Sequence, residues 1–231
     1  MGEGDFLVAE ADESDGSFLK LDPVLEVVTN IDLEHMDYYN SIEQIKSVFL
    51  EFIDKIPFYG AVILCLDDPH VASILPEIKK RFLTYGLTSQ ANVYAKGIST
   101  TGLNTRFEVC RENEILGEIT LSLAGVHNVY NALGAVTVGL ELDIPFATVA
   151  AALQSFSGCS GGCKLKEKGE TLRLLMIMDI IRLKFGQPSP PYVTRGLNEG
   201  LWFCFSHIVI QEPRLWPKSS LLPFMRLTSF C

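Results

Sequence analysis

Four carboxylates, Glu10, Asp12, Glu13 and Asp15, stand within six positions directly after the apolar run Phe6 to Ala9. A second apolar run, Val24 to Thr29, opens onto Asn30, Asp32, Glu34, His35 and Asp37. Hard oxygen ligands beside one imidazole suit Mg²⁺ held between protein and nucleotide phosphates. Each group follows a short strand-like segment, as at the rim of an α/β sheet where ligands bind. A solvated acidic turn has the same composition, so the chemistry depends on what positions these residues.

The positioning elements follow from periodicity. Ile42, Ile45, Val48, Phe49, Phe52, Ile53 and Ile56 recur at three- and four-residue steps and predict an amphipathic helix, with Ser41 as cap and Gln44 at the capping-box position. Gly60 to Leu66 is continuously apolar, as buried parallel strands are, and Phe82 to Tyr85 reads as another strand. Asp67-Asp68-Pro69 places acid and proline where a helix start favours them, which makes capping the first reading of both carboxylates. From Asn92 to Leu123 the runs are β-like, and Leu103 to Cys110 and Ile115 to Leu123 read as a hairpin around the polar turn Arg111 to Glu114. His127 to Leu142 is a helix rich in small residues, and Pro145 opens another through Phe156. The expected class is α/β: a mostly parallel sheet flanked by helices, with a small antiparallel hairpin excursion.

Composition narrows the function. A net charge of −9 over 231 residues disfavours a nucleic-acid partner. No apolar run approaches the roughly 20 residues that span a bilayer, and no basic segment followed by an apolar stretch opens the chain. A cytoplasmic, non-membrane location is expected. Six cysteines form no CxxC pair, and Cys159 and Cys163 have no second pair of metal ligands nearby, so they are expected as reduced thiols. Nothing in the sequence fixes the oligomeric state.

The wording of the segments is more specific. EADESDGSFL, VTNIDLEHMDYY, FLEFIDKIPFYG, CLDDP, TYG and GVHNVYNALGA follow one another in an order and spacing that resembles the Mur ligases, from Asp5 to about Glu170. The resemblance implies the central ATP-binding domain of that family, a P-loop-type ATPase fold, over residues 1–170. It also implies ATP and Mg²⁺ as cofactors and UDP-N-acetylmuramate and L-alanine as substrates. Those are joined through an acyl phosphate in peptidoglycan synthesis. Ser14 resembles the member that adds L-alanine more than the member that recycles murein tripeptide. By resemblance, Glu10 and His35 are metal ligands with catalytic roles, on neighbouring strand edges of one rim. Asp12, Glu13, Ser14, Asn30 and Asp32 would face the sugar substrate, and His127, Asn128 and Asn131 the adenine. Phe58 and Tyr59 would pack rather than react.

Two departures shape the expectations. No Gly-Lys dipeptide occurs, so the family's phosphate-binding loop is not within these residues, and weak ATP binding and little activity are expected of this chain alone. After Phe156 the family pattern stops. Back-translated with a one-base offset, Met176 to Phe185 yields Asp-Asp-Tyr-Gly-His-His-Pro, Phe205 to Pro213 yields a further family-like segment, and Cys159 to Cys163 yields an arginine pair. Residues 171–231 are therefore expected to be an out-of-frame tail that stays outside the sheet; a product of a decayed ligase gene is one reading of the whole. Such a tail carries no selected agreement between pattern and packing, and His207 is given no function.

Overall fold

A computed structural model describes residues 7–11, 16–32, 38–156 and 207–211, with backbone alone at 7, 9, 10, 17 and 207–211. The strands are β1 (Leu7–Ala11), β2 (Leu25–Val28), β3 (Ala61–Cys65), β4 (Phe82–Gly86), β5 (Val93–Thr101), β6 (Asn104–Arg111), β7 (Glu114–Leu121) and β8 (His207–Gln211). They form one sheet in the order β1-β8-β2-β3-β4-β5-β6-β7. The pairs β2–β3, β3–β4 and β4–β5 are parallel. Since β8 is antiparallel to both neighbours, β1 runs parallel to β2.

Helices cover both faces, which is why the central strands β2, β3 and β4 are largely apolar, Glu26 and Thr84 excepted. On one side α1 (Ile42–Ile53) and α2 (Pro69–Ile74) bury Phe49, Ile53, Val71 and Ile74 against Val28, Val62 and Leu64. On the other, α3 (Val126–Glu141) and α4 (Phe146–Ser155) pack Val129, Leu133, Val136 and Leu153 against Val27, Ile63 and Tyr85. Local chemistry fixes the helix starts. Ser41 Oγ accepts the Gln44 N–H at 3.2 Å, while Gln44 Oε1 accepts from Asn40 N at 2.8 Å, one residue ahead of the usual capping-box partner. Asp68 Oδ1 accepts the Val71 N–H at 2.8 Å ahead of Pro69. Gly60 admits no side chain, because a Cβ there would lie 2.2 Å from the Val24 carbonyl oxygen.

The antiparallel excursion is larger than a hairpin. β5, β6 and β7 form a three-stranded meander, and the two-residue turn Glu112-Asn113 takes positive φ at both positions, the twist-matched geometry for a tight hairpin. α4 packs on β7, where Phe146 lies so close that a Cβ at Gly117 would meet its ring at 2.7 Å.

β8 overturns the expectation that residues 171–231 stay outside the sheet. Within that span His207–Gln211 pairs with β1 on one side and β2 on the other, Val209 standing opposite both Ala9 and Glu26. The physical reason is that a slot between two parallel strands offers unpaired backbone groups on both sides, and filling it makes no demand for a particular sequence. Ile208, Val209 and Ile210 have the β-branched character strands prefer. The rest of 171–231 lies outside the described residues.

One core position conflicts with its surroundings. Glu26, at the middle of β2, is 0% exposed, and among the described residues neither carboxylate oxygen has a hydrogen-bond partner. It alternates with Leu25 and Val27 and stands in register with Val62, on the α1 side of the sheet. Burial pushes its carboxyl well above the ordinary carboxylate range. The folded protein thus holds this proton to higher pH than the unfolded chain does. Its contribution is at its best below the unfolded value of about 4.3 and declines as pH rises toward the folded one. Glu26→Leu should remove that decline and stabilise the chain at pH 7 by about 1–3 kcal/mol. Urea unfolding of both proteins between pH 4.5 and 8 measures it; an unchanged difference across that range would contradict the assignment.

Candidate functional site

Parallel pairing brings the C-terminal ends of β2, β3 and β4 to one edge, and β1 ends there too. Beyond β2, Thr29 is buried and its hydroxyl donates to Asn30 Oδ1 at 2.9 Å; Ile31 is buried and Asp32 exposed. Gly16 and Tyr38, which directly follow the two acidic segments, lie against each other: a Cβ on Gly16 would meet the Tyr38 hydroxyl at 2.9 Å. The chain therefore returns to one place after each segment. Phe18 anchors the first return, buried with Ala11, Leu21 and Phe52.

α3 enters the same edge by its first turn. Gly125 precedes it at φ +105°, where a Cβ would collide with the His127 ring at 2.6 Å. Asp67, two residues past β3, accepts from Leu87 N at 2.6 Å, just past β4, and from the Tyr130 hydroxyl at 3.0 Å. Burial first, then the Asp67 hydrogen bond, pushes the Tyr130 phenol well above its ordinary value. It stays a donor at neutral pH.

The expected site residues divide into three groups. Asn30, Asp32, His127, Asn128 and Asn131 are placed at this edge. Glu10 is located by backbone only; it falls inside β1 rather than after it, opposite Ile208. β8 separates β1 from β2, so Glu10 is not on a strand neighbouring β2, contrary to expectation; the two strands lie two spacings apart, about 9–10 Å. Asp12, Glu13, Ser14 and His35 lie outside the described residues. Among the described residues no three His, Cys, Asp or Glu side chains gather as a metal cage. The donors at the edge do fit Mg²⁺, which takes one or two carboxylates and completes its octahedron with water and phosphate oxygens.

Asn128 and Asn131 differ from simple ligand-facing amides. They are 3% and 0% exposed. Asn128 Nδ2 donates to the Ala124 carbonyl at 2.8 Å, and Asn131 Nδ2 to Asn128 Oδ1 at 3.4 Å. His127 and Tyr130 are the more accessible groups of this turn. Phe58, expected to pack, is 93% exposed and meets Tyr59 edge-on beyond α1, ahead of β3. The sequence reading missed the Asp67–Tyr130 link. Of the paired carboxylates only Asp68 is needed as a cap, and that surplus was the available signal.

The Mur ligase middle domain matches residues 2–139. The chain belongs to the Mur ligase family. It is 60% identical over 179 residues to the UDP-N-acetylmuramate–L-alanine ligase of Desulfotalea psychrophila, covering 78% of this chain and 39% of that one. This Mur ligase segment thus spans well under half the length of that relative. Among solved structures it resembles the UDP-N-acetylmuramate-alanine ligase of Thermotoga maritima, with a TM-score of 0.55 and 23% identity over 63% of this chain and 32% of that one. It also resembles a MurF ligase from Thermotoga maritima in complex with ADP, with a TM-score of 0.53 and 18% identity over 67% and 36%. These likenesses establish the fold.

The buried amides are expected to hold this Mur ligase turn together. Asn128→Ala, which leaves the Ala124 carbonyl unpaired, should cost about 1–3 kcal/mol of stability. The exposed His127→Ala should stay within about 0.5 kcal/mol of the parent. Thermal unfolding checks both, and equal effects would refute the structural role of Asn128.

Proposed function

We propose that this chain is the nucleotide-binding segment of a ligase that joins L-alanine to UDP-N-acetylmuramate with ATP and Mg²⁺, in the cytoplasm. The 60% identity to the Desulfotalea psychrophila ligase carries the reading. The ADP held by the structurally similar Thermotoga maritima ligase supports an adenine nucleotide.

The chain's own residues would do the following. His127, with the turn braced by Asn128 and Asn131, receives the adenine base. Glu10 and His35 would contribute donors to Mg²⁺. When bound, that ion neutralises charge on the phosphates during transfer to the sugar carboxylate. Asp12, Glu13, Ser14, Asn30 and Asp32 face the sugar nucleotide, and the Thr29 hydroxyl orients Asn30. Attack by the L-alanine amine on the acyl phosphate then releases phosphate. The protein's part is placement and electrostatics rather than covalent help. We infer that residues 171–231 are an out-of-frame tail with no part in this chemistry, although 207–211 pair with the sheet.

A chimera tests the reading: this segment replaces the matching one in the Desulfotalea psychrophila ligase. ADP release that depends on both UDP-N-acetylmuramate and L-alanine is expected. Glu10→Gln in the chimera should lower turnover on the order of 10²–10³-fold, the cost of one essential electrostatic group, with UDP-sugar binding kept. Turnover unaffected by Glu10→Gln would remove the metal role, and preference for a tripeptide over L-alanine would replace the substrate.

A further inference from the structure

Asp67 is exposed, yet it is built into place. One oxygen, Oδ2, accepts from Leu87 N at 2.6 Å and from the Tyr130 hydroxyl at 3.0 Å. A Cβ at Gly86 would sit 2.9 Å from both carboxylate oxygens, so the residue after Tyr85 must stay small for Asp67 to lie there. Three pieces of chain, distant in sequence, meet at this atom: the end of β3, the end of β4 and the first turn of α3. Helix capping does not explain it, because Asp68 caps α2. The Tyr130 phenol keeps its proton and, among the described residues, donates its hydrogen bond to Asp67.

We propose that Asp67 is a positioning residue for base recognition: through Oδ2 it fixes Tyr130 and the pitch of the first turn of α3, and so the placement of His127 at the sheet edge. The proposal rests on the adenine reading above and adds what sets the geometry of that subsite. The bond from Leu87 ties Asp67 to the end of β4 in the parallel sheet. The bond from Tyr130 ties the same carboxylate to the helix. Cutting either arm leaves the turn free to shift by a fraction of a turn while the helix remains folded through its buried face.

The test uses the ¹⁵N-labelled full chain and adenosine at millimolar concentration, a probe that needs no phosphate contacts. In the parent, amide shifts at Leu87 and at residues 126–131 should report binding. Tyr130→Phe keeps the ring and loses only the hydroxyl, and should raise the apparent Kd about 5–10-fold, equivalent to about 1.0–1.4 kcal/mol. Asp67→Ala should match it, the double variant should be no worse than either single one because both cut the same link, and Asp67→Asn, which keeps an acceptor, should bind nearly as the parent. Thermal unfolding of each variant verifies the fold. Shifts present in the parent and unchanged in Tyr130→Phe would overturn this proposal alone, as would additive effects in the double variant. No shifts at this edge in the parent would overturn the adenine reading, and the positioning role with it.

Discussion

Parallel pairing of β2, β3 and β4 is the constraint from which the rest follows. It needs crossovers, supplied by α1 and α2, and it needs both sheet faces covered, which α3 and α4 complete. It forces every strand end carrying a polar residue to the same edge. Gly60 holds the alignment where β3 begins, since a larger residue would drive its backbone from Val24 and shift Asn30 relative to Asp67. The chemistry is therefore placed by backbone register first and by side chains second.

Against that frame the buried Glu26 is a cost the core carries. Its partner in register on β3 is Val62, and no donor among the described residues reaches it. The slot beside it is filled by β8, a strand that meets the backbone needs of β1 and β2. Backbone satisfaction outweighs the cost of one neutralised acid there, as expected when a row of hydrogen bonds is at stake.

Much of the architecture was legible in the sequence because its signals are local. The apolar stripe of α1, the Asp68-Pro69 helix start and the continuous run of β3 each reflect one element and its immediate burial. The same holds for the family likeness of the central segments. The site was legible by type but not by arrangement. Asn128 and Asn131 read as ligand groups, and only packing reveals that their amides face inward to Ala124 and to each other. The link between Asp67 and Tyr130 spans 63 positions and has no periodic trace. β8 was missed because nothing short-range joins residues 207–211 to β1 and β2.

The central claim is that a metal nucleotide sits at the C-terminal edge of the parallel strands. Paramagnetic broadening tests it most directly: ADP with Mn²⁺ in place of Mg²⁺, added to the ¹⁵N-labelled chain, with amide intensities read along the whole sequence. Broadening is predicted at Glu10, at Asn30 to Asp32, at Asp67 and at residues 125–128, and not at residues 57–60 beyond the opposite ends of the strands. Broadening centred instead on the acidic groove between α1 and α2, around Glu43 and Glu77, would contradict it.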